Sequence, residues 1–181
     1  MSRIPAIQTE TANGKTKQLL EAVHARFKIT PNSMRVMANS AAVLEGFLNF
    51  SGALAGGRLE AKLREAIALE VGEQNQCQYC VSAHTAIGKL TGLTDAEIEY
   101  AREGRSSSRK DAAALEFARV VLVNRGSVTD ADFEAVRQAG FGDGEIAEII
   151  AHVALNVFTN YFNTAAEVEV DFPKMTLRKT A

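Results

Sequence analysis

The chain has 181 residues, of which 46% are hydrophobic and 23% charged, and its formal net charge is −2. This length suits one domain with a substantial core, and the charge gives no electrostatic basis for binding nucleic acid or an anionic membrane. No apolar run approaches the roughly 20 residues needed to cross a bilayer, and the first 17 residues lack the apolar segment of a signal peptide. We therefore expect a cytoplasmic protein that binds neither nucleic acid nor membranes.

Helical periodicity covers most of the chain, and long runs of the strict apolar–polar alternation typical of strands are missing. The chain has only three prolines, and the interval between Pro31 and Pro173 is free for helices. We predict a single all-α domain over residues 15–170, with a flexible arm (1–14) before it and a tail (171–181) after it.

Capping residues and apolar spacing place the individual helices. Thr94 and Glu97 have the form of a capping box, a threonine followed three residues later by a glutamate. Thr129 begins a similar helix start, and Gly56 and Gly140 mark the ends of two helices. The predicted helices span 15–27, a short segment with Met34 and Met37, 40–56, 59–73, 77–91, 95–102, 110–123, 129–140 and a long last helix from 142.

The segment Cys77–His84 contains both cysteines and one of the three histidines. It lies where an amphipathic helix should begin. At about 100° per residue, Cys80 falls near 300° and His84 near 340° relative to Cys77. Two thiols and an imidazole therefore share one helix face and form the candidate site.

Cysteine chemistry requires the thiolate, and a free cysteine has a pKa near 8.5. The partial positive charge of a helix N-terminus favours an anion in the first turn, where both cysteines lie. His84 can accept or return a proton, and one cysteine can attack a sulfenic acid on the other to form a disulfide. The pattern predicts peroxide reduction or dithiol–disulfide exchange.

Several other interpretations of the cysteines remain open. The two thiols and His84 could bind zinc if His152 or Glu65 completed the site. The cysteines could also be small apolar residues of a buried face, or belong to a redox sensor without catalytic activity. A thioredoxin fold is rejected because it requires strands.

Two segments around the candidate site form a recognisable pattern: Leu63–Leu69 (LREAIAL) and Asn75–Thr85 (NQCQYCVSAHT). In these segments the chain resembles the alkylhydroperoxidase D (AhpD)-like branch of the carboxymuconolactone decarboxylase family. The family pattern is a glutamate, an Asn-x-Cys-x-x-Cys motif whose first cysteine follows twelve residues later, and a histidine four residues after the second cysteine. The similarity extends over most of residues 30–173.

The resemblance implies an AhpD-like helical bundle, assembled as a homo-oligomer (trimer or hexamer), that reduces a hydroperoxide or disulfide substrate. It implies no cofactor beyond an external thiol reductant. By position, Cys80 would attack the peroxide, Cys77 would resolve the intermediate, and His84 and Glu65 would form a proton relay. The residues themselves leave open which cysteine attacks first.

Two positions depart from the family pattern. Tyr79 lies between the cysteines, where the best-known branch has a histidine, and tyrosine is a poor base near neutral pH because its reference pKa is about 10. Glu70 lies on the apolar stripe of its helix, where the family has a small residue. We favour a snorkelling or interface-paired carboxylate over a catalytic one. The family's lactone decarboxylases, which lack the cysteine pair, supply the alternative function.

Overall fold

The computed structural model describes residues 2–178. Over that range the chain forms helices and no strand, which confirms the predicted all-α fold. The helices are α1 (Gly14–Phe27), α2 (Asn32–Met37), α3 (Ala41–Ala55), α4 (Ala61–Gln74), α5 (Gln78–Leu90), α6 (Asp95–Arg102), α7 (Arg109–Val123), α8 (Asp130–Gln138) and α9 (Asp143–Ala165).

Helix α4 lies at the centre of the bundle. Every residue from Ala66 to Glu73 is buried, because α4 packs against α5, α6, α7 and α9 on different sides. The sequence pattern shows only one narrow apolar stripe on this helix, so its burial on all sides was not visible from periodicity. This central position carries α4 past the start of α5, where the cysteines lie.

Two predicted helix starts are confirmed in detail. Thr94 Oγ1 accepts the Glu97 N–H, and the Glu97 carboxylate accepts the Thr94 N–H at 2.7 Å, which completes the predicted capping box. The same reciprocal bonds join Thr129 and Asp132 at the start of α8.

The predicted start of α4 at residue 59 is wrong by two residues. The Glu148 carboxylate of α9 accepts the N–H groups of Arg58 at 2.8 Å and Leu59 at 3.0 Å, which holds this segment in the preceding turn. A Cβ on Gly57 would lie 2.5 Å from Glu148 Oε2, so glycine lets the Glu148 carboxylate approach this turn closely.

Both terminal segments lie against the bundle. The Ile7 N–H donates to the Arg35 carbonyl at 3.0 Å, and the Met175 N–H donates to Ser82 Oγ at 3.0 Å. Residues 179–181 of the predicted tail lie outside the described residues, and the predicted domain limits stay a prediction. Among the helices of residues 2–178, none has the length and hydrophobicity to span a membrane.

Candidate active site

The turn between α4 and α5 positions the first cysteine. Gln76 has a left-handed φ of 52°, and its N–H donates to the Glu73 carbonyl at 3.0 Å while the Cys77 N–H donates to Gly72 at 2.9 Å. These two bonds form a Schellman motif at the end of α4. Cys77 is also the N-cap of α5, because its Sγ accepts the Cys80 N–H at 3.4 Å.

The two cysteine sulfurs lie 2.7 Å apart as free thiols. Each cysteine is only 2% exposed. A Cβ on Gly72 would lie 3.3 Å from Val81 Cγ2 and 3.6 Å from Cys80 Cβ, so the small residue allows α4 to approach α5 closely at this point. The sulfurs are therefore held within reach of each other in a buried site.

The two thiols have opposite pKa shifts. The hydrogen bond with the Cys80 thiol lowers the pKa of Cys77 to about 7, although burial opposes this shift. Burial raises the pKa of Cys80 well above its usual value, and the neighbouring Cys77 sulfur raises it further. The first proton lost from the pair leaves its charge mainly on Cys77.

His84 and Glu65 form a hydrogen-bonded pair across α4 and α5. His84 Nδ1 lies 2.8 Å from Glu65 Oε2, and both side chains are partly buried. Burial disfavours the imidazolium, but the Glu65 carboxylate outweighs it and raises the pKa of His84 above its usual value. His84 is therefore suited to donate a proton near neutral pH.

A cavity of about 140 Å³ opens at Cys80 and His84. Most of its wall is apolar, and it is lined in part by Met34, Phe47, Ile87, Leu155 and Phe172. A separate depression of about 190 Å³ opens at Cys77, beside residues 164–170. The two cysteines thus line two different spaces, and the apolar cavity is the one at Cys80.

Tyr79 makes hydrogen bonds to the tail and to α2. Its O–H donates to Asp171 Oδ1 at 2.8 Å and accepts the Ser33 N–H at 3.1 Å. Burial raises the pKa of the phenol well above its usual value. Tyr79 therefore connects the tail to α2 and makes no hydrogen bond to either sulfur.

Glu70 lies beside Gly104 and not on the wall of the Cys80 cavity. It is 0% exposed, and neither carboxylate oxygen has a hydrogen-bond partner within the described residues. A Cβ on Gly104 would lie 2.7 Å from Glu70 Oε1. Burial raises the pKa of Glu70 to about 8. The sequence-based interpretation as a snorkelling carboxylate is wrong, because the Glu70 side chain is completely buried, and its pairing at a subunit interface stays a prediction.

The sequence analysis missed the contact of Asn163 with the site. Asn163 Nδ2 donates to Cys80 Sγ at 3.3 Å, and Asn163 Oδ1 accepts the Ser33 hydroxyl at 2.6 Å. The signal was the spacing of Asn156, Asn160 and Asn163, which places three amides on one face of α9.

The structure brings Cys77, Cys80, His84 and Glu65 together, and their catalytic roles stay a prediction. The zinc interpretation needs a third and fourth ligand around the cysteines. Within residues 2–178, no three His, Cys, Asp or Glu side chains are placed to hold a metal ion. His152 is buried, its Nε2 has no hydrogen-bond partner among these residues, and burial lowers its pKa.

Several solved structures share this fold. The AhpD-core, peroxidase-related protein from Ralstonia eutropha JMP134 has 26% identity and a TM-score of 0.85, over 94% of this chain and 92% of that one. A peroxidase-related protein from Silicibacter sp. TM1040 has 23% identity and a TM-score of 0.78, over 91% and 90%. The debrominase Bmp8, in complex with 2,3,4-tribromopyrrole as a cysteine-to-alanine variant, has 18% identity and a TM-score of 0.77, over 93% and 91%.

The sequence comparisons agree with this fold. No curated protein matches the sequence significantly. The profile of the carboxymuconolactone decarboxylase family matches residues 41–122, which include both cysteines, His84 and Glu65. Residues 41–122 are thus similar to the carboxymuconolactone decarboxylase family, and the chain has the AhpD-like helical fold.

Proposed function

We propose that this protein is a thiol-dependent oxidoreductase that reduces organic hydroperoxides with the Cys77–Cys80 pair. The supporting observation is the 2.7 Å separation of the two sulfurs next to an apolar cavity that exposes Cys80 and His84. An apolar wall favours an organic substrate over water or a small ion. The similarity to the carboxymuconolactone decarboxylase family and to an AhpD-core, peroxidase-related structure supports a peroxidase-related role.

In the first step, the Cys80 thiolate attacks the terminal oxygen of the hydroperoxide. A sulfur–oxygen bond forms and the oxygen–oxygen bond breaks. The departing alkoxide takes a proton from the His84 imidazolium and becomes the alcohol. Glu65 holds the His84 ring and stabilises its positive charge.

In the second step, the Cys77 sulfur attacks the sulfenic acid on Cys80. A disulfide forms, the sulfur–oxygen bond breaks, and the proton of the Cys77 thiol leaves with the hydroxide as water. An external dithiol then supplies two electrons and two protons, and becomes a disulfide itself. The depression at Cys77 gives this reductant an approach separate from the substrate cavity.

The test is consumption of cumene hydroperoxide by the full chain with dithiothreitol as donor. We expect Cys80→Ser to remove both turnover and sulfenic acid formation. Cys77→Ser should remove turnover but still form one equivalent of sulfenic acid, detected by dimedone labelling. The exposed Ser107→Ala serves as a control that keeps activity. Full activity of the Cys77→Ser/Cys80→Ser double variant would falsify the proposal.

If only disulfide substrates are reduced, the function is dithiol–disulfide exchange. If neither substrate reacts but Cys77 and Cys80 form a disulfide with peroxide, the pair is a redox sensor. Turnover of a lactone acid by the double serine variant would instead indicate a decarboxylase-type enzyme. Stoichiometric zinc in protein purified without chelators would contradict the redox function.

A reductive dehalogenase is a second candidate, because the apolar cavity at Cys80 suits a small aromatic substrate. Bmp8, a debrominase, shares the fold. The reaction would replace a carbon-bound bromine with hydrogen, oxidise the two thiols to a disulfide and release hydrogen bromide. Release of bromide from 2,3,4-tribromopyrrole, lost in Cys80→Ser, would favour this function over the peroxidase.

The homo-oligomer inferred from the family resemblance is also a proposal. Phe50, Phe158 and Tyr161 are exposed on α3 and α9, and exposed aromatic side chains favour contact between subunits. Sedimentation velocity measures the assembly directly, and a monomer at micromolar concentration would contradict it.

A further inference from the structure

The last helix presents a row of buried amides to the core. Asn156, Asn160 and Asn163 are each at most 4% exposed. Steps of four and three residues place their side chains on one face of α9. Asn156 Nδ2 donates to the His152 carbonyl within the helix, at 2.8 Å. The other two amides are oriented by residues outside α9.

Ser33 fixes the amide of Asn163. Because the Ser33 hydroxyl donates to Asn163 Oδ1 at 2.6 Å, the Nδ2 group faces Cys80 Sγ at 3.3 Å. The opposite orientation would place the amide oxygen against the lone pairs of the sulfur. Asn163 is therefore a fixed donor to the Cys80 sulfur.

Asn75 fixes the amide of Asn160. Asn75 Nδ2 donates to Asn160 Oδ1 at 2.9 Å. Because the Asn160 oxygen faces Asn75, the Asn160 Nδ2 group is directed away from Asn75. Asn160 is 0% exposed, and its Nδ2 has no hydrogen-bond partner among residues 2–178. A buried donor without a partner destabilises the folded protein, because it has lost its hydrogen bonds to water.

The unpaired donor belongs to the residue one helix turn before Asn163, whose amide contacts the reacting sulfur at 3.3 Å. Asn163 and Asn160 both lower the pKa of the Cys80 thiol, against the effect of burial. Asn160 Nδ2 nevertheless makes no hydrogen bond with acceptable geometry to the sulfur. An acceptor that appears during the reaction would give this donor a partner.

We propose that Asn163 and Asn160 form a two-amide site for the reacting atoms of Cys80. Asn163 Nδ2 stabilises the negative charge on the Cys80 sulfur when it attacks, while the shared proton rests on Cys77. Asn160 Nδ2 donates a hydrogen bond to the oxygen that the sulfur takes from the hydroperoxide. This inference depends on the proposed peroxidase chemistry, and its donors act as the N–H groups of an oxyanion hole do.

The two-amide site explains how the thiolate charge could reach the cysteine that the substrate contacts. In the resting pair the charge rests mainly with Cys77, whereas the apolar cavity opens at Cys80. The Asn163 N–H group, directed at Cys80 Sγ, lowers the free energy of moving the charge onto the sulfur that meets the substrate.

The experiment uses the full chain in the Cys77→Ser background, in which Cys80 titrates alone and its sulfenic acid cannot be resolved. Asn160→Leu removes the donor without adding charge, and Asn160→Asp keeps an acceptor for Asn75. Asn163→Leu removes the other donor. The exposed Asn49→Asp is the control for added charge. Thermal melting establishes that each variant is folded.

We expect both Asn160 variants to form sulfenic acid with cumene hydroperoxide about 10- to 100-fold more slowly than the Cys77→Ser parent. Asn163→Leu should raise the Cys80 pKa, read from pH-dependent alkylation, more than Asn160→Leu does. Parental rates and parental pKa values in the folded variants would overturn the two-amide site. Absence of sulfenic acid in the parent itself would contradict the peroxidase function, and the alkylation pKa would still support or overturn the contact of the amides with Cys80.

Discussion

Helix α4 places two carboxylates in different surroundings, one partly buried and one completely buried. Glu65 lies at the cysteine site and is hydrogen-bonded to His84 at 2.8 Å. Glu70, five residues later, is completely buried beside Gly104 with no partner among the described residues. The pKa of Glu70 is raised to about 8 by this burial. The carboxylate of the cysteine site therefore differs from Glu70 both in being partly exposed and in having a hydrogen-bond partner.

A third carboxylate on the same helix, Glu73, tests how much a partner contributes. Its Oε2 accepts from Arg102 Nε at 2.7 Å, and both side chains are nearly inaccessible. Glu73→Gln leaves the buried guanidinium without its full counter-charge, so we expect a loss of about 3–5 kcal/mol in the free energy of unfolding. Urea denaturation measures this loss. Glu99→Gln, which removes a half-exposed partner of Arg102, should cost less than about 1 kcal/mol. Equal losses in the two variants would contradict the role of burial.

Glu70→Gln should raise the free energy of unfolding relative to the wild type, and this difference should grow as the pH rises. An exposed glutamate has a pKa of about 4.5, and burial raises that of Glu70 to about 8. Between these values the unfolded chain has lost the proton while the folded chain still holds it, so the stability of the wild type falls with rising pH. Each pH unit in this window lowers stability by up to about 1.4 kcal/mol. The advantage of Glu70→Gln should therefore grow on the order of 3 kcal/mol from pH 5 to 8 and become constant above it.

Urea titrations at pH 5, 6.5 and 8 measure this trend. The exposed Glu21→Gln is the matched control and should show no such growth. A constant difference between wild type and Glu70→Gln across the range would mean that Glu70 keeps an ordinary pKa.

The difference between the two regions also shows what could be predicted from the sequence. The capping box of Thr94 and the shared face of Cys77, Cys80 and His84 are local features, so residue spacing was sufficient. The pairing of Glu65 with His84 joins two helices. Residue spacing alone did not favour Glu65 over Glu70 as the glutamate of the site. The family resemblance supplied that distinction.

Other contacts of the site depend on tertiary packing. Asn163 meets Cys80 from 83 positions along the chain, and only the crossing of α9 over the start of α5 brings them together. Tyr79 likewise finds its partner 92 positions away, in the tail. The pattern within one helix does not predict such tertiary contacts. The apolar periodicity indicates which face of the helix is buried, but not which residues that face contacts.

Glu65→Gln should reduce turnover while leaving the fold intact. Loss of the carboxylate removes the attraction that raises the pKa of His84, and burial then lowers this pKa. The imidazolium that donates the proton would be lost at a lower pH, so the decline of activity on the alkaline side should shift to lower pH. We expect hydroperoxide turnover at pH 7 to fall about 10- to 100-fold. Glu70→Gln, which changes the other region of α4, should keep the wild-type pH profile; the same shift in both variants would contradict the distinction between the two carboxylates.

Tyr79→Phe should have the smallest effect and separates support of the site from its chemistry. The phenol bonds to Asp171 and to the Ser33 N–H, so its loss should lower the free energy of unfolding by about 1 kcal/mol. Because the phenol makes no hydrogen bond to either sulfur, and its pKa is raised by burial, turnover at 25 °C should change less than about twofold. Tyr100→Phe, at a more exposed tyrosine, should alter neither quantity. A tenfold loss of turnover in Tyr79→Phe at wild-type stability would instead place the phenol in the proton relay, at the position where the family has a histidine.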